Sequence, residues 1–292
     1  LSMLFAGLAG GFASPRIMTV LQATGYLEEE TAERAPLSDA AKERTFKRLL
    51  ETLQFILDIM GTDDSLSSPS AQAKPTSSGP YHVSRGGLGW AAATRVRFLH
   101  ARVRQRLMQG KDADAFSATC GIPINQEDLM ATLGSFCVAP LWSLQRLGIP
   151  LSAQEREDFV ALWRHVGFYM GIEPRILRRC FRDYKAAERF YFCVSSHHFL
   201  AMKSGRDLTG PALPLLYSAA NRAPVPLSFA TNCAVTRFLL GDSLANALFL
   251  PRTSPKQRIR LTFVLAALAA PSILFDCYWR SGWKQEAENC LR

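Results

Sequence analysis

The sequence lacks paired cysteines. Its seven cysteines are an odd number, spread from position 120 to position 290, with no CxxC pair and no ligand spacing of a zinc site. A disulfide framework and a structural zinc cluster are therefore not expected. With 292 residues, 48% of them hydrophobic, the chain is long and apolar enough to bury a sizeable core in one domain.

Standard catalytic signatures and long apolar runs are also missing. There is no GxSxG, HExxH or GxxxxGK[ST], and the glycine cluster at 86–89 follows no strand pattern, so common hydrolases and nucleotide enzymes are excluded. The longest apolar run, 261–275, is shorter than the ~20 residues that span a bilayer, and indicates a buried or interfacial helix. Because the chain starts at Leu1, we expect an incomplete N-terminus and either a membrane-associated, endoplasmic-reticulum-like location or a cytoplasmic one.

The charge is strongly basic. Lysine and arginine number 34 against 25 acidic residues, a net charge of +9. No RNP-like, zinc-finger or lysine-rich tail pattern accompanies the arginines, so no nucleic-acid partner is expected. A basic surface that faces water, lipid headgroups or the carboxylates of a cofactor explains them as well.

Helical periodicity covers most of the chain. The patterns and caps predict helices at about 38–60, 91–108, 125–147, 152–169, 174–203, 227–248 and 256–280. No strand alternation bounded by hairpin signals is present. The chain is therefore predicted to be all-α and a single domain over 1–292, with a flexible Ser/Pro-rich insertion at about 62–80.

His100 is the strongest candidate for a metal ligand. Arg97 and Arg104 lie three residues before and four after it, on the same face of a predicted helix. Two cations would keep the imidazole neutral, as a metal ligand must be, and would suit a cofactor that carries carboxylates, as haem does. An exposed basic helix face that merely contains a histidine explains the same spacing.

Several short motifs occur in a fixed order along the chain. The Arg-x-x-His-x-x-x-Arg motif follows a glycine cluster and an earlier helix with Arg-x-x-x-Thr. Together with their neighbours, the segments 10–15, 23–25, 48–52, 97–104, 121–128 and 163–167 resemble the rubber oxygenase (latex-clearing protein) and ER-bound oxygenase MpaB family.

The resemblance implies a b-type haem in an all-helical, globin-like core. His100 would be the proximal iron ligand, with Arg97 and Arg104 near the haem propionates. Arg48 and Thr52 would line the distal side, where dioxygen and substrate meet. The implied reaction is oxidation or cleavage of a carbon–carbon double bond in an apolar, isoprenoid-like or fatty substrate with dioxygen, and an electron donor and peripheral membrane contact are further expected partners.

One position departs from the family pattern. Rubber-cleaving members carry a lysine just before the distal threonine, whereas this chain has Glu51. We therefore expect a smaller prenylated or fatty metabolite rather than polyisoprene. Two alternatives stay open: a cofactor-free basic helical protein that docks on a membrane or an acidic partner, and a haem protein without catalysis.

Overall fold

A computed structural model gives the fold. It describes residues 5, 7, 14–24, 38–61, 83, 85–110, 113–203, 212–222, 226–267, 269–270 and 274. The helices are α1 (Pro15–Ala23), α2 (Asp39–Met60), α3 (Leu88–Gln109), α4 (Ala113–Cys120), α5 (Gln126–Arg146), α6 (Ala153–Met170), α7 (Pro174–Cys180), α8 (Tyr184–Lys203), α9 (Ala212–Ser218), α10 (Phe229–Leu240), α11 (Asp242–Ala247) and α12 (255–267). These residues contain no strand, and the prediction of an all-α class is confirmed.

Local capping chemistry starts and ends the central helices. The Ser38 hydroxyl accepts the backbone N–H of Ala41 at the start of α2, and Gly61 ends that helix in the left-handed conformation. Asn125 and Ser152 begin α5 and α6 with capping boxes. In each box the side chain of the first residue accepts the backbone N–H three residues later, and the carboxylate at that later position accepts the backbone N–H of the first residue. These starts agree with the sequence prediction.

Three predicted boundaries are wrong. The helix that contains His100 starts at Leu88 rather than about 91, because Gly87 serves as the N-cap. The continuous helix predicted for 174–203 is broken at 181–183, between α7 and α8. The helix predicted for 227–248 divides at Gly241, whose positive φ of 83° a helix interior cannot adopt.

The core forms around α5. This helix is buried along most of its length and packs against α6 on one side and α8 on another. Helices α2 and α3 pack on each other, and α3 also contacts α6. The two helices that carry the resemblance motifs are thereby held against the central pair α5 and α6.

No helix among the described residues is long and apolar enough to cross a membrane. The Ser/Pro-rich insertion predicted at about 62–80 lies outside the described residues.

Gly134 sets the distance between α5 and α8. A Cβ atom built at this position would lie 2.3 Å from Cδ2 of Tyr191, a buried ring that packs against Trp142 with centroids 5.3 Å apart. We expect Gly134→Val to lower the free energy of unfolding by about 1–3 kcal/mol, because overpacking forces a buried ring to move. Urea denaturation checks this.

Gln145→Val is the matched control for that variant. Gln145 is exposed near the end of the same helix, so its substitution introduces the same side chain without a clash. Because valine has a higher helix propensity than glycine, propensity alone would stabilise Gly134→Val, so a loss no larger than that of Gln145→Val would contradict the overpacking against Tyr191.

Candidate functional site

A cavity of about 400 Å³ lies between the motif helices and the central pair. Its wall is mostly apolar, and five helices contribute to it. The lining side chains include Ile17, Val20 and Leu21 of α1, Phe55 of α2, Val96, Leu99 and Val103 of α3, Leu129, Leu133 and Phe136 of α5, and Trp163, Val166 and Met170 of α6. An apolar recess with few polar groups is the usual form of a small-molecule or cofactor site.

His100 lines this cavity from α3. Its Nδ1 atom is buried and has no hydrogen-bond partner among the described residues. Burial, reinforced by the positive charge of Arg104, lowers the pKa of His100 to about 4. The imidazole is therefore neutral at physiological pH, with a lone pair available for a metal.

Helix α2 brings three polar side chains to the same cavity: Arg48, Glu51 and Thr52. Arg48 Nη1 donates to Glu51 Oε2 at 2.9 Å, and both side chains are half exposed. Thr52 Oγ1 donates to the Arg48 carbonyl one turn earlier at 3.0 Å. The structure thus brings the predicted pair Arg48 and Thr52 into one cavity with His100, although α2 and α3 are far apart in sequence.

The two arginines that flank His100 differ in their surroundings. Arg104 Nε donates to the Pro123 carbonyl at 3.1 Å and its Nη2 to the Ile124 carbonyl. Arg97 is exposed and its guanidinium lies against Gly171, with no hydrogen bond or ion pair to any described residue. Neither arginine is among the described residues that line the cavity. Arg104 therefore stabilises the turn before α5, whereas the N–H groups of Arg97 have no acceptor among the described residues.

Asp128 is a cavity residue that the sequence prediction missed. It closes the capping box of α5 and is buried, with Oδ1 3.1 Å from Arg16 Nη2. Burial raises its pKa, and the nearby positive charge of Arg16 opposes that rise. Arg16 also pairs with Glu127 at 2.7 Å. In the sequence, a carboxylate at the third position of a helix indicates a capping residue. Only the fold shows that Asp128 also lines the cavity.

The donor set fits haem iron better than a bare metal ion. No group of three or more His, Cys, Asp and Glu side chains in the described residues could hold an ion. A single neutral imidazole on an apolar wall is instead compatible with a haem, since the porphyrin supplies four ligands to the iron itself. The unpartnered Nδ1 of His100 is an observation that a ligand of this kind would explain.

The fold and the site together define an all-α protein in which one neutral histidine lines an apolar cavity. The chain matches, over residues 1–270, the family model described as "ER-bound oxygenase mpaB/B'/Rubber oxygenase, catalytic domain", and it belongs to that family of oxygenases. This confirms the resemblance that the ordered motifs indicated.

A solved structure agrees in fold. The structure of latex clearing protein LCP in the closed state superposes with a TM-score of 0.58 at 18% sequence identity. The alignment covers 92% of this chain and 62% of the LCP chain. No curated protein sequence matches this chain.

Proposed function

We propose that this chain is a haem-dependent oxygenase that oxidises or cleaves a carbon–carbon double bond of an apolar, isoprenoid-like or fatty substrate with dioxygen. The observation that carries this proposal is the neutral His100, whose unpartnered Nδ1 is buried at an apolar cavity shared with Arg48 and Thr52. Membership in an oxygenase family favours it over a cofactor-free docking protein.

His100 would hold a b-type haem through its neutral ring. A bound haem would supply the iron at which dioxygen is activated. Arg97 would meet a haem carboxylate. Its position one turn before His100, and the lack of a hydrogen bond or ion pair to its guanidinium within the described residues, support this role. Arg104 already donates to two backbone carbonyls, so it would contact the haem carboxylates while keeping those two hydrogen bonds.

The remaining cavity residues would bind the substrate and exclude water. Aliphatic and aromatic side chains from α1, α3, α5 and α6 give an alkene an apolar surface and no competing hydrogen-bond partner. The ion pair of Arg48 and Glu51 is half exposed and offers a polar contact to one end of an amphipathic molecule. This polarity fits a prenylated or fatty metabolite with a polar end better than an uninterrupted hydrocarbon polymer.

Thr52 would place a hydroxyl on the distal side of the cavity, where dioxygen and substrate would meet. Its proton is donated to the Arg48 carbonyl, so toward a ligand in the cavity its oxygen would act as an acceptor. We expect Thr52→Val to lower the rate of product formation about tenfold, which corresponds to the loss of one hydrogen bond at the reacting atoms. Haem content should not change, because His100 is intact.

The test is oxygen uptake by haem-loaded protein with a reductant, with and without a short terpenoid alkene, and mass spectrometry of carbonyl products. Thr52→Ser keeps the hydroxyl and should retain most of the activity. Haem binding without alkene-dependent oxygen uptake would support the non-catalytic haem protein instead. Equal rates in Thr52→Val and the parent protein would remove Thr52 from the reaction.

A further inference from the structure

A second cavity, of about 590 Å³, lies at the other end of α5, between the ends of α10 and α11 and the start of α12. It shares no lining residue with the cavity of His100. Four of its lining side chains are arginines: Arg146, Arg237, Arg252 and Arg258. The proposed oxygenase reaction uses none of them.

Arg237 builds the floor of this cavity. It is buried, and its Nη1 donates to both Asp242 Oδ1 and Asn246 Oδ1 at 2.9 Å. Its Nε and Nη2 donate to the carbonyls of Pro251 and Leu250 at 3.1 and 2.5 Å. These bonds fix α11 and the 250–251 segment relative to α10. Asp242 carries the one carboxylate among the described residues that line the cavity. Because this carboxylate forms an ion pair with Arg237, its negative charge is already balanced within the protein.

The other three arginines line the cavity around Arg237, and none of them has an anionic partner among the residues that the structure describes. Arg252 and Arg258 are exposed and make no side-chain hydrogen bond or ion pair with any described residue. The Arg146 guanidinium lies over the Phe238 ring, 5.9 Å from its centroid. Its Nη1 donates to the Leu239 carbonyl over a long distance of 3.4 Å. Three like charges at one recess repel each other, and an anion at their centre would remove that repulsion.

We propose that this cavity binds a phosphoryl group, as in a phosphate ester or a diphosphate. Guanidinium groups present paired N–H donors that match the oxygens of phosphate, and three of them supply more donors than the two oxygens of a carboxylate accept. The polar side chains of Arg237, Asp242 and Asn246 in the cavity lining also disfavour an apolar ligand. The phosphoryl group belongs either to a soluble molecule or to a lipid headgroup. This inference does not depend on haem or on the oxygenase reaction.

The test is calorimetric titration of the full chain with inorganic pyrophosphate at fixed ionic strength. We expect Arg252→Ala and Arg258→Ala each to weaken binding about tenfold, the loss of a charge-assisted hydrogen bond. Arg260→Ala is the matched control, because Arg260 is exposed two residues further along α12 and does not line the cavity. It removes the same charge and should leave the affinity nearly unchanged.

Sedimentation with vesicles of phosphatidylcholine containing phosphatidic acid distinguishes the two sources. Pyrophosphate binding that depends on Arg252 and Arg258 supports a soluble phosphorylated ligand. Vesicle binding with the same dependence, without pyrophosphate binding, supports a lipid headgroup. Equal losses in Arg260→Ala would show that diffuse surface charge is responsible and would overturn the proposal, as would the absence of binding to both probes.

Discussion

Replacement of His100 by alanine is expected to abolish haem retention. His100 is the one histidine among the residues that line the apolar cavity in the described part of the chain, and no second imidazole there could replace it. The alanine variant keeps the apolar wall but lacks the lone pair that would bind iron. After expression with a haem precursor, the parent protein should show a strong Soret band and the variant a weak or shifted one.

His165→Ala is the matched control for this measurement. His165 is exposed on α6, and its ring nitrogen Nε2 lies 3.2 Å from the Tyr169 hydroxyl. It does not line the cavity, so its removal should leave the spectrum unchanged. A colourless parent protein in the presence of haem would contradict the oxygenase proposal. A Soret band that is unchanged in His100→Ala would contradict the assignment of the ligand alone.

The sequence predicted the parts of this fold that depend on local chemistry. Ser38, Asn125 and Ser152 each begin a helix because a short polar side chain accepts an N–H three residues ahead, which is visible in the sequence. Gly61 and Gly171 end helices in the left-handed conformation for an equally local reason. Periodicity then gave the helical class.

Contacts between distant residues account for features of the structure that the sequence does not show. Arg104 shares a face with His100, as its spacing predicts, yet its donors go to carbonyls 19 and 20 residues away, in a turn whose path the sequence does not show. The break at 181–183 contains no proline or glycine. Two long-range contacts hold it: Arg164 donates to the Phe181 and Arg182 carbonyls, and the Glu157 carboxylate caps the Tyr184 N–H.

The candidate site could be predicted only in part, because some of its residues have a local signal in the sequence and others do not. His100 has two flanking arginines that make it conspicuous in the sequence, whereas Asp128 looks like any capping residue. That α2 and α3 meet at one cavity could be inferred from the family resemblance, because helix periodicity specifies a face and not its partner. The roles of Arg48, Thr52, Arg97 and Arg104 toward a cofactor stay predictions.

Trp163 joins the core to the candidate site, and its replacement is expected to give the largest loss of stability. Its side chain is buried, lines the cavity of His100 and stacks on Phe136 of α5 with ring centroids 5.5 Å apart. Phe55 of α2 and Phe159 of α6 lie 6.5 and 6.2 Å from it. One indole ring therefore connects the helix of Arg48 and Thr52 to the central pair of helices.

We expect Trp163→Ala to lower the free energy of unfolding by about 3–5 kcal/mol, the usual cost of removing a buried aromatic side chain and leaving a cavity. Urea denaturation of the full chain without added haem measures this loss. Trp163→Phe keeps a ring on Phe136 and should lose less. Phe168→Ala, an exposed aromatic position on the same helix, should change stability by no more than about 0.5 kcal/mol.

The same variants test whether the site depends on the core. If Trp163 holds α2 against α5 and α6, Trp163→Ala should weaken haem retention although His100 is intact, because the part of the cavity wall that α2 supplies is no longer fixed. A ligand that binds only the folded state raises stability by an amount that grows with the logarithm of its affinity, so added haem should recover part of the loss in Trp163→Phe and less in Trp163→Ala. Normal haem retention in a strongly destabilised Trp163→Ala would show instead that α3 alone is enough to hold the cofactor.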